Sequence, residues 1–260
     1  MPLVACITAV APLRSEPSHS SEMVSQLLLG ELATIIDEVK GFLKVQCQAD
    51  GYEGWCQANQ VMLVSPLVAN EYVQNPPKYC ADTVGVLKNK DGLTQISIGT
   101  PLLLKKPKLA KLGKLQWQLK KVQTVAAGSE AFTQVNIEKV VGQLLNTPYL
   151  WGGRSAFGID CSGLTQLVLK LFGYQLPRDA KQQVNHGEVI GFLQEVKCGD
   201  LAFFDDAEGN IIHVGLLLNH DTIVHAYDKV RIDRIDTEGI INTSTKLRTH
   251  RLRVIKRIIP

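Results

Sequence analysis

No C-x-x-C pair occurs among the six cysteines at positions 6, 47, 56, 80, 161 and 198, which removes zinc ribbons and thioredoxin-type redox motifs from consideration. Reduced thiols are the expectation on compartment grounds, with a disulfide pair among them as the alternative. No apolar run approaches the roughly 18 to 20 residues that a membrane helix needs. Residues 2 to 13 are apolar and Ala9-Val10-Ala11 imitates a cleavage site, yet no Lys or Arg precedes the run. The first strand of a folded domain is therefore a better reading than a signal peptide, and a cytoplasmic location is expected. The net charge is only +3, which neither demands nucleic acid nor excludes an acidic substrate. A hydrophobic fraction of 45% and a charged fraction of 20% over 260 residues describe an ordinary globular chain with material for one large or two to three small domains.

What the chain does have is a glycine-rich stretch from Pro148-Tyr149-Leu150-Trp151-Gly152-Gly153 to Gly158-Ile159-Asp160-Cys161-Ser162-Gly163. Glycines on both sides of Asp-Cys-Ser permit tight turns and close approach of a ligand to the main chain. The cysteine then opens a helix: Leu164, Leu167, Val168 and Leu171 recur at helical spacing, Asp160 is a favoured N-cap and Gly173 stands where a C-cap is expected. Cys161 in the first helical turn faces unpaired N–H groups and the positive end of the helix dipole, a setting that lowers a thiol pKa.

A thiol nucleophile needs a base. His213 and His225 lie in two β-branched apolar runs with Asn219-His220-Asp221 between them as the turn. If Leu218 pairs with Thr222 across a three-residue loop, His225 falls opposite Gly215 and both imidazoles project from one face. A two-residue loop would put them on opposite faces. In this reading Cys161 attacks an amide carbonyl, His213 moves the proton and His225 orients His213. A zinc site from the same three residues has usable ligand types but no supporting spacing, so no metal and no cofactor are expected. His19, His186, His220 and His250 read as solvated, and the other cysteines as core or edge residues.

Asp160-Cys161-Ser162-Gly163, then Gly199-Asp200-Leu201-Ala202-Phe203-Phe204, then His213-Val214-Gly215, then Val224-His225-Ala226, in this order, resemble the NlpC family of bacterial cell-wall cysteine peptidases. The likeness covers roughly residues 128 to 260. Residues 1 to 65 show short strands at barrel-like density, and Leu13-Arg14-Ser15-Glu16-Pro17, Leu29-Gly30-Glu31 and Gly51-Tyr52-Glu53-Gly54-Trp55 resemble a bacterial SH3-like domain. Residues 66 to 127 read as a second, abbreviated SH3-like barrel or a β linker, ahead of the catalytic domain at 128 to 260. Seven lysines between Lys105 and Lys121 accompany a single aromatic, Trp117, and read as a solvated hairpin edge rather than a nucleic-acid surface. The expected fold is α+β, a papain-like domain of helices on an antiparallel sheet behind one or two small barrels.

The resemblance implies more than the residue types do. It points to γ-D-glutamyl-L-diamino acid endopeptidases, which cut before diaminopimelate or lysine in wall peptides with a free N-terminal L-Ala. Carried over by position, Asp160 holds the ammonium, Tyr149 lines the cleft, Ser162 and Asp179 contact the dipeptide, and Tyr52 and Glu22 block longer substrates. Many relatives have a hydroxyl residue where Ala180 stands. The partner is then a small peptide, with no nucleic acid or membrane, acting on a monomer. An amidase or acyltransferase on the same scaffold, or a wall-peptide binding module with an inactive catalytic domain, are the alternatives.

Overall fold

Alternation of apolar and polar positions through the first 64 residues builds seven strands, Leu3–Cys6, Val10–Arg14, Met23–Leu28, Leu32–Val39, Phe42–Cys47, Glu53–Gln57 and Val61–Val64. They form one antiparallel sheet in the spatial order third, second, sixth, fifth, fourth, first, seventh. Its inward positions, among them Val4, Cys6, Ala11, Leu13, Leu27, Ala33, Val45, Cys47 and Cys56, make a continuous core. Trp55 is core packing at 9% exposure. The computed structural model describes residues 1–259.

After this sheet the chain forms a helix, Pro66–Gln74, where only a loosened strand pattern was expected. The local signal is present: the Ser65 hydroxyl accepts from the Val68 N–H and Pro66 occupies the first helical position. A five-stranded sheet follows in the order Gly92–Ser97, Val84–Asn89, Leu115–Lys121, Leu109–Leu112, Leu104–Lys106, with a three-stranded sheet of Pro101–Leu102, Lys78–Cys80 and Thr124–Ala126. Trp117 points into the core between Leu87, Leu112 and Leu119, while Lys106, Lys108, Lys120 and Lys121 are exposed.

Met1–Ser129 and Trp151–Phe157 belong to one compact unit, and Glu130–Leu150 with the chain from Gly158 onward to a second. Arg154 ties the short segment into the first unit. Its guanidinium donates to the Gln26 carbonyl (2.7 Å) and to Glu31 (3.0 Å), with both charged side chains under a tenth exposed.

The second unit stacks helices on a sheet. Helix Gln134–Leu144 buries Ile137, Val141 and Leu144, the stripe its periodicity announced. Helix Cys161–Leu171 is capped by Asp160, whose carboxylate accepts from the Gly163 N–H. It ends where Gly173 adopts φ 88°; the Tyr174 N–H returns to the Leu169 carbonyl and the Gly173 N–H to Lys170, a Schellman closure that favours glycine.

This helix is buried on more than its apolar face. Thr165 and Gln166 are at most 4% exposed because Thr165 Oγ1 donates to Gln183 Oε1 and Gln166 Nε2 to the Leu176 carbonyl; interior polar groups need such partners. The sheet runs Glu188–Ile190, Arg248–Arg257, Leu201–Asp205, Ile211–Asn219, Thr222–Ala226, Val230–Asp236, Gly239–Ile241, all antiparallel. Gly239–Ile241 pairs again with Arg248–Arg257, so the last strand closes the sheet. Strand Ile211–Asn219 lies against helix Cys161–Leu171. Leu164 is fully buried at this packing. Leu164→Ala is expected to destabilise the second unit by about 2–5 kcal/mol, read from the shift of its denaturant-unfolding midpoint.

Candidate active site

Parity between two strands places the two histidines. Leu216 pairs with Val224 and Leu217 with Ile223, the register that sets His225 across from Gly215. The tip, however, has only His220 and Asp221 between the paired Asn219 and Thr222. Leu218 is an extra residue bulged between those pairs, and it restores the parity that a two-residue loop would otherwise reverse. Gly215 makes room for the result. A Cβ there would lie 2.6 Å from Ile223 Cδ1 and 3.0 Å from His225 Cβ.

His213 Nε2 stands 2.9 Å from His225 Nδ1, and His225 Nε2 stands 3.0 Å from Asp233 Oδ2. All three residues are at most 4% exposed. Asp233 in turn accepts from the Thr243 N–H (2.8 Å), the Thr243 hydroxyl (2.7 Å) and Arg231 Nη2 (3.1 Å), and Arg231 Nε is 2.8 Å from its other oxygen. Against burial, which would raise it, hydrogen bonds from His225 first and then from Thr243 and Arg231 hold the Asp233 carboxyl well below the usual carboxylate range. Neither Asp233 nor Arg231 was among the expected site residues. The signal lies in strand Val230–Asp236: His225 pairs with Arg231 and Ile223 with Asp233, so Asp233 is a same-face diagonal neighbour of His225.

His250 departs from expectation as well. It stacks on the His213 ring at 4.2 Å between centroids and 22° between planes, and meets Tyr227 edge-on. Burial and nearby His225 push its pKa down to about 4. It reaches the site because Arg248–Arg257 closes the sheet from the far end of the chain, a pairing its polar surroundings in sequence did not announce.

Cys161 begins the helix that packs against strand Ile211–Asn219; it is 7% exposed, with the backbone N–H groups of Val214, the residue after His213, and of Ser162 directed at its sulfur. The Asp160 carboxylate accepts from Ser162 Oγ (3.2 Å) and from Arg178 Nη1 (3.0 Å) and Nη2 (2.5 Å); Arg178 also donates to Ser162 Oγ (2.9 Å). Arg178 is 1% exposed. Tyr149 is half-buried, and burial first, then the nearby Cys161 and Asp160, raise the pKa of its hydroxyl, with Arg178 pulling against them. Asp179 starts helix Ala180–Gln183, its N–H donating to Gln182 Oε1 (3.3 Å). In the first unit, Tyr52 lies in the loop before strand Glu53–Gln57 and packs against the first sheet's core, and Glu22 accepts from Trp151 Nε1 at 2.6 Å.

Residues 146–249, which hold this whole arrangement, match the NlpC/P60 family. The chain carries an NlpC/P60 domain. Residues 13–61 match the bacterial dipeptidyl-peptidase SH3 domain. Among similar proteins are a γ-D-glutamyl-L-lysine dipeptidyl-peptidase of Bacillus cereus, 26% identical over 86% of this chain and 74% of its own, and dipeptidyl-peptidase 6 of Lysinibacillus sphaericus, 28% identical over 89% and 91%. An NlpC/P60 family protein from Bacillus cereus superposes with a TM-score of 0.81 over 99% of this chain and all of its own, at 22% identity. The fold is papain-like with an SH3-like amino-terminal domain, and the protein is a cysteine peptidase.

The electrostatics of the NlpC/P60 domain correct one expectation. Burial pushes the Cys161 thiol up to about 12, with Asp160 adding to the rise, and the Val214 and Ser162 N–H groups and Arg178 pull against it. The helix start alone does not ionise the thiol, because the sulfur is desolvated beside a carboxylate. Burial also holds His213 well below the ordinary imidazole 6.5, assisted by His225 and His250. Both shifts favour the uncharged forms, a thiol and a neutral imidazole.

Two outcomes follow. A base with a lowered pKa is lost only when the pH falls through that lower value, so the acid limb of kcat/KM is expected below pH 6.5, read from a pH–rate profile. Arg178→Ala leaves the Asp160 carboxylate without its buried partner and is expected to destabilise the domain by about 3–5 kcal/mol, read by thermal or denaturant unfolding.

Proposed function

We propose that the chain hydrolyses the bond between γ-D-glutamate and an L-diamino acid, diaminopimelate or lysine, in short wall peptides that begin with a free L-Ala. The observation that carries this is the ordered set of Cys161, His213 and His225, with the imidazoles at 2.9 Å, inside an NlpC/P60 domain that follows a dipeptidyl-peptidase SH3 domain. The name of the Bacillus cereus relative, a γ-D-glutamyl-L-lysine dipeptidyl-peptidase, supports the substrate class. A short peptide with a free amine is a released fragment, which fits a recycling role in the cytoplasm for a monomeric enzyme.

In this reading the Cys161 sulfur attacks the γ-glutamyl carbonyl as His213 takes the thiol proton, and His213 returns that proton to the leaving amine. The Cys161 N–H and the Tyr149 hydroxyl stabilise the oxyanion. Asp160 belongs to the recognition of the substrate's ammonium, Tyr149 lines the cleft, Ser162 and Asp179 contact the dipeptide, and the resemblance extends the proposal to Tyr52 and Glu22. A charged hydrogen bond is worth about 1.5–3 kcal/mol, so losing the ammonium lowers kcat/KM by roughly 10- to 100-fold. Incubation with L-Ala-γ-D-Glu-diaminopimelate or its lysine counterpart is expected to release L-Ala-D-Glu. Cys161→Ala is expected to abolish this release, and acetylation of the substrate's amino group to slow it by the factor above. No dipeptide released while a generic amide is hydrolysed would sink the assignment and favour an amidase.

A further inference from the structure

The Cys-His-His set does not end at His225. Asp233 is 1% exposed, as is His225, and its carboxylate sits 3.0 Å from His225 Nε2. Its surroundings are built to keep it charged and still: two donors from Thr243, two guanidinium nitrogens of Arg231, and a further tie from Arg231 Nη2 to Asn242 Oδ1 at 3.0 Å. A carboxylate can only accept, so His225 carries its proton on Nε2. A neutral His225 then has its lone pair on Nδ1, which is 2.9 Å from His213 Nε2, so that nitrogen of His213 must be the donor. The one nitrogen of His213 left with a lone pair is Nδ1.

We infer that Asp233 is a positioning residue that sets the tautomers of His225 and His213 in series, leaving the His213 Nδ1 lone pair as the acceptor for the Cys161 thiol proton. This deepens the peptidase reading and rests on it for the identity of the reaction. The proton balance is simple. The S–H bond breaks, its proton goes to His213 Nδ1, and the sulfur electron pair forms the bond to the carbonyl carbon while the C=O π pair moves to oxygen. On collapse the C–N bond breaks and the amine leaves with the proton from Nδ1. His225 keeps its proton throughout, and Asp233 stays ionised and compensates the transient imidazolium through it. A buried charge two residues from the reacting atoms is thereby given a task that pairing with Arg231 alone does not require.

The geometry also explains why the terminal carboxylate must be this well held. Were Asp233 able to protonate, it could donate to His225 Nε2, and the whole chain of donors would invert. His213 would then present an N–H to the thiol, and two donors cannot exchange a proton. Removing a tautomer-fixing carboxylate next to a catalytic imidazole lowers kcat by up to about 10⁴-fold in a serine protease triad; one residue further out, a loss of roughly 10- to 100-fold is expected.

Asp233→Asn is therefore expected to lower kcat by roughly 10- to 100-fold with KM changed less than about two-fold, and Thr243→Val, which removes one hydrogen bond to Asp233, to lower it less. Nitrogen-15 NMR of the imidazoles in the otherwise unaltered protein, and in Cys161→Ala, is expected to show His213 and His225 both protonated on Nε2. Asp233→Asn is expected to shift that pattern and to slow alkylation of Cys161 by iodoacetamide. Neither readout needs a substrate, so they stand even if the peptide specificity is wrong. His213 protonated on Nδ1 in the unaltered protein would overturn the inference, including where Asp233→Asn does not fold. Full kcat in a folded Asp233→Asn would overturn it as well.

Discussion

Strand parity is the constraint on which the active site depends. Side chains alternate between the faces of a strand, so a slip of one residue between Ile211–Asn219 and Thr222–Ala226 would carry His225 to the opposite face from His213 and dissolve the contact between their rings. The tip of the hairpin is a tight two-residue turn, and Leu218 is the bulged residue that reconciles it with the required register. Gly215 completes the arrangement, since any side chain there would occupy the space of Ile223 and His225. The same parity carries across the next hairpin, where Asp233 lands diagonal to His225. One set of alternating faces thus aligns three buried polar side chains.

Those polar groups are tolerable in the interior only because each has partners. Asp160 is matched by Arg178 and by the helix N–H it caps, and Asp233 by Arg231 and Thr243. Leaving any of these charges alone would be strongly destabilising, which ties the site's electrostatics to the stability of the domain around it. The opposing consequence falls on the nucleophile. Desolvation raises the Cys161 thiol's pKa and lowers that of the His213 imidazole, which disfavours the charged form of each. The stacked His250 adds a further ring that favours a neutral His213.

Much of this was legible in the residues. Asp160 as a cap, the helical stripe of Leu164, Leu167, Val168 and Leu171, and Gly173 at its end are local signals, and local chemistry decides them. The hairpin register could be argued because two histidines had to share a face. The helix at Pro66–Gln74 was overlooked, although Ser65 and Pro66 mark its start. Tyr52 lies in the loop before strand Glu53–Gln57 and packs on the core of the first sheet; whether a ring folds inward depends on what lies beneath it.

By itself, then, the sequence determined which segments become helix or strand, and which face the two histidines of one hairpin share, because capping, periodicity and parity act over a few neighbouring residues. The tertiary structure alone decided that Arg178 closes on Asp160, that Asp233 stands behind His225, that His250 arrives from the last strand to stack on His213, and that burial favours the neutral thiol. These depend on burial and on contacts between residues far apart in the chain, and desolvation has no local signature: a side chain's charge state follows from how much water the assembled fold removes from it.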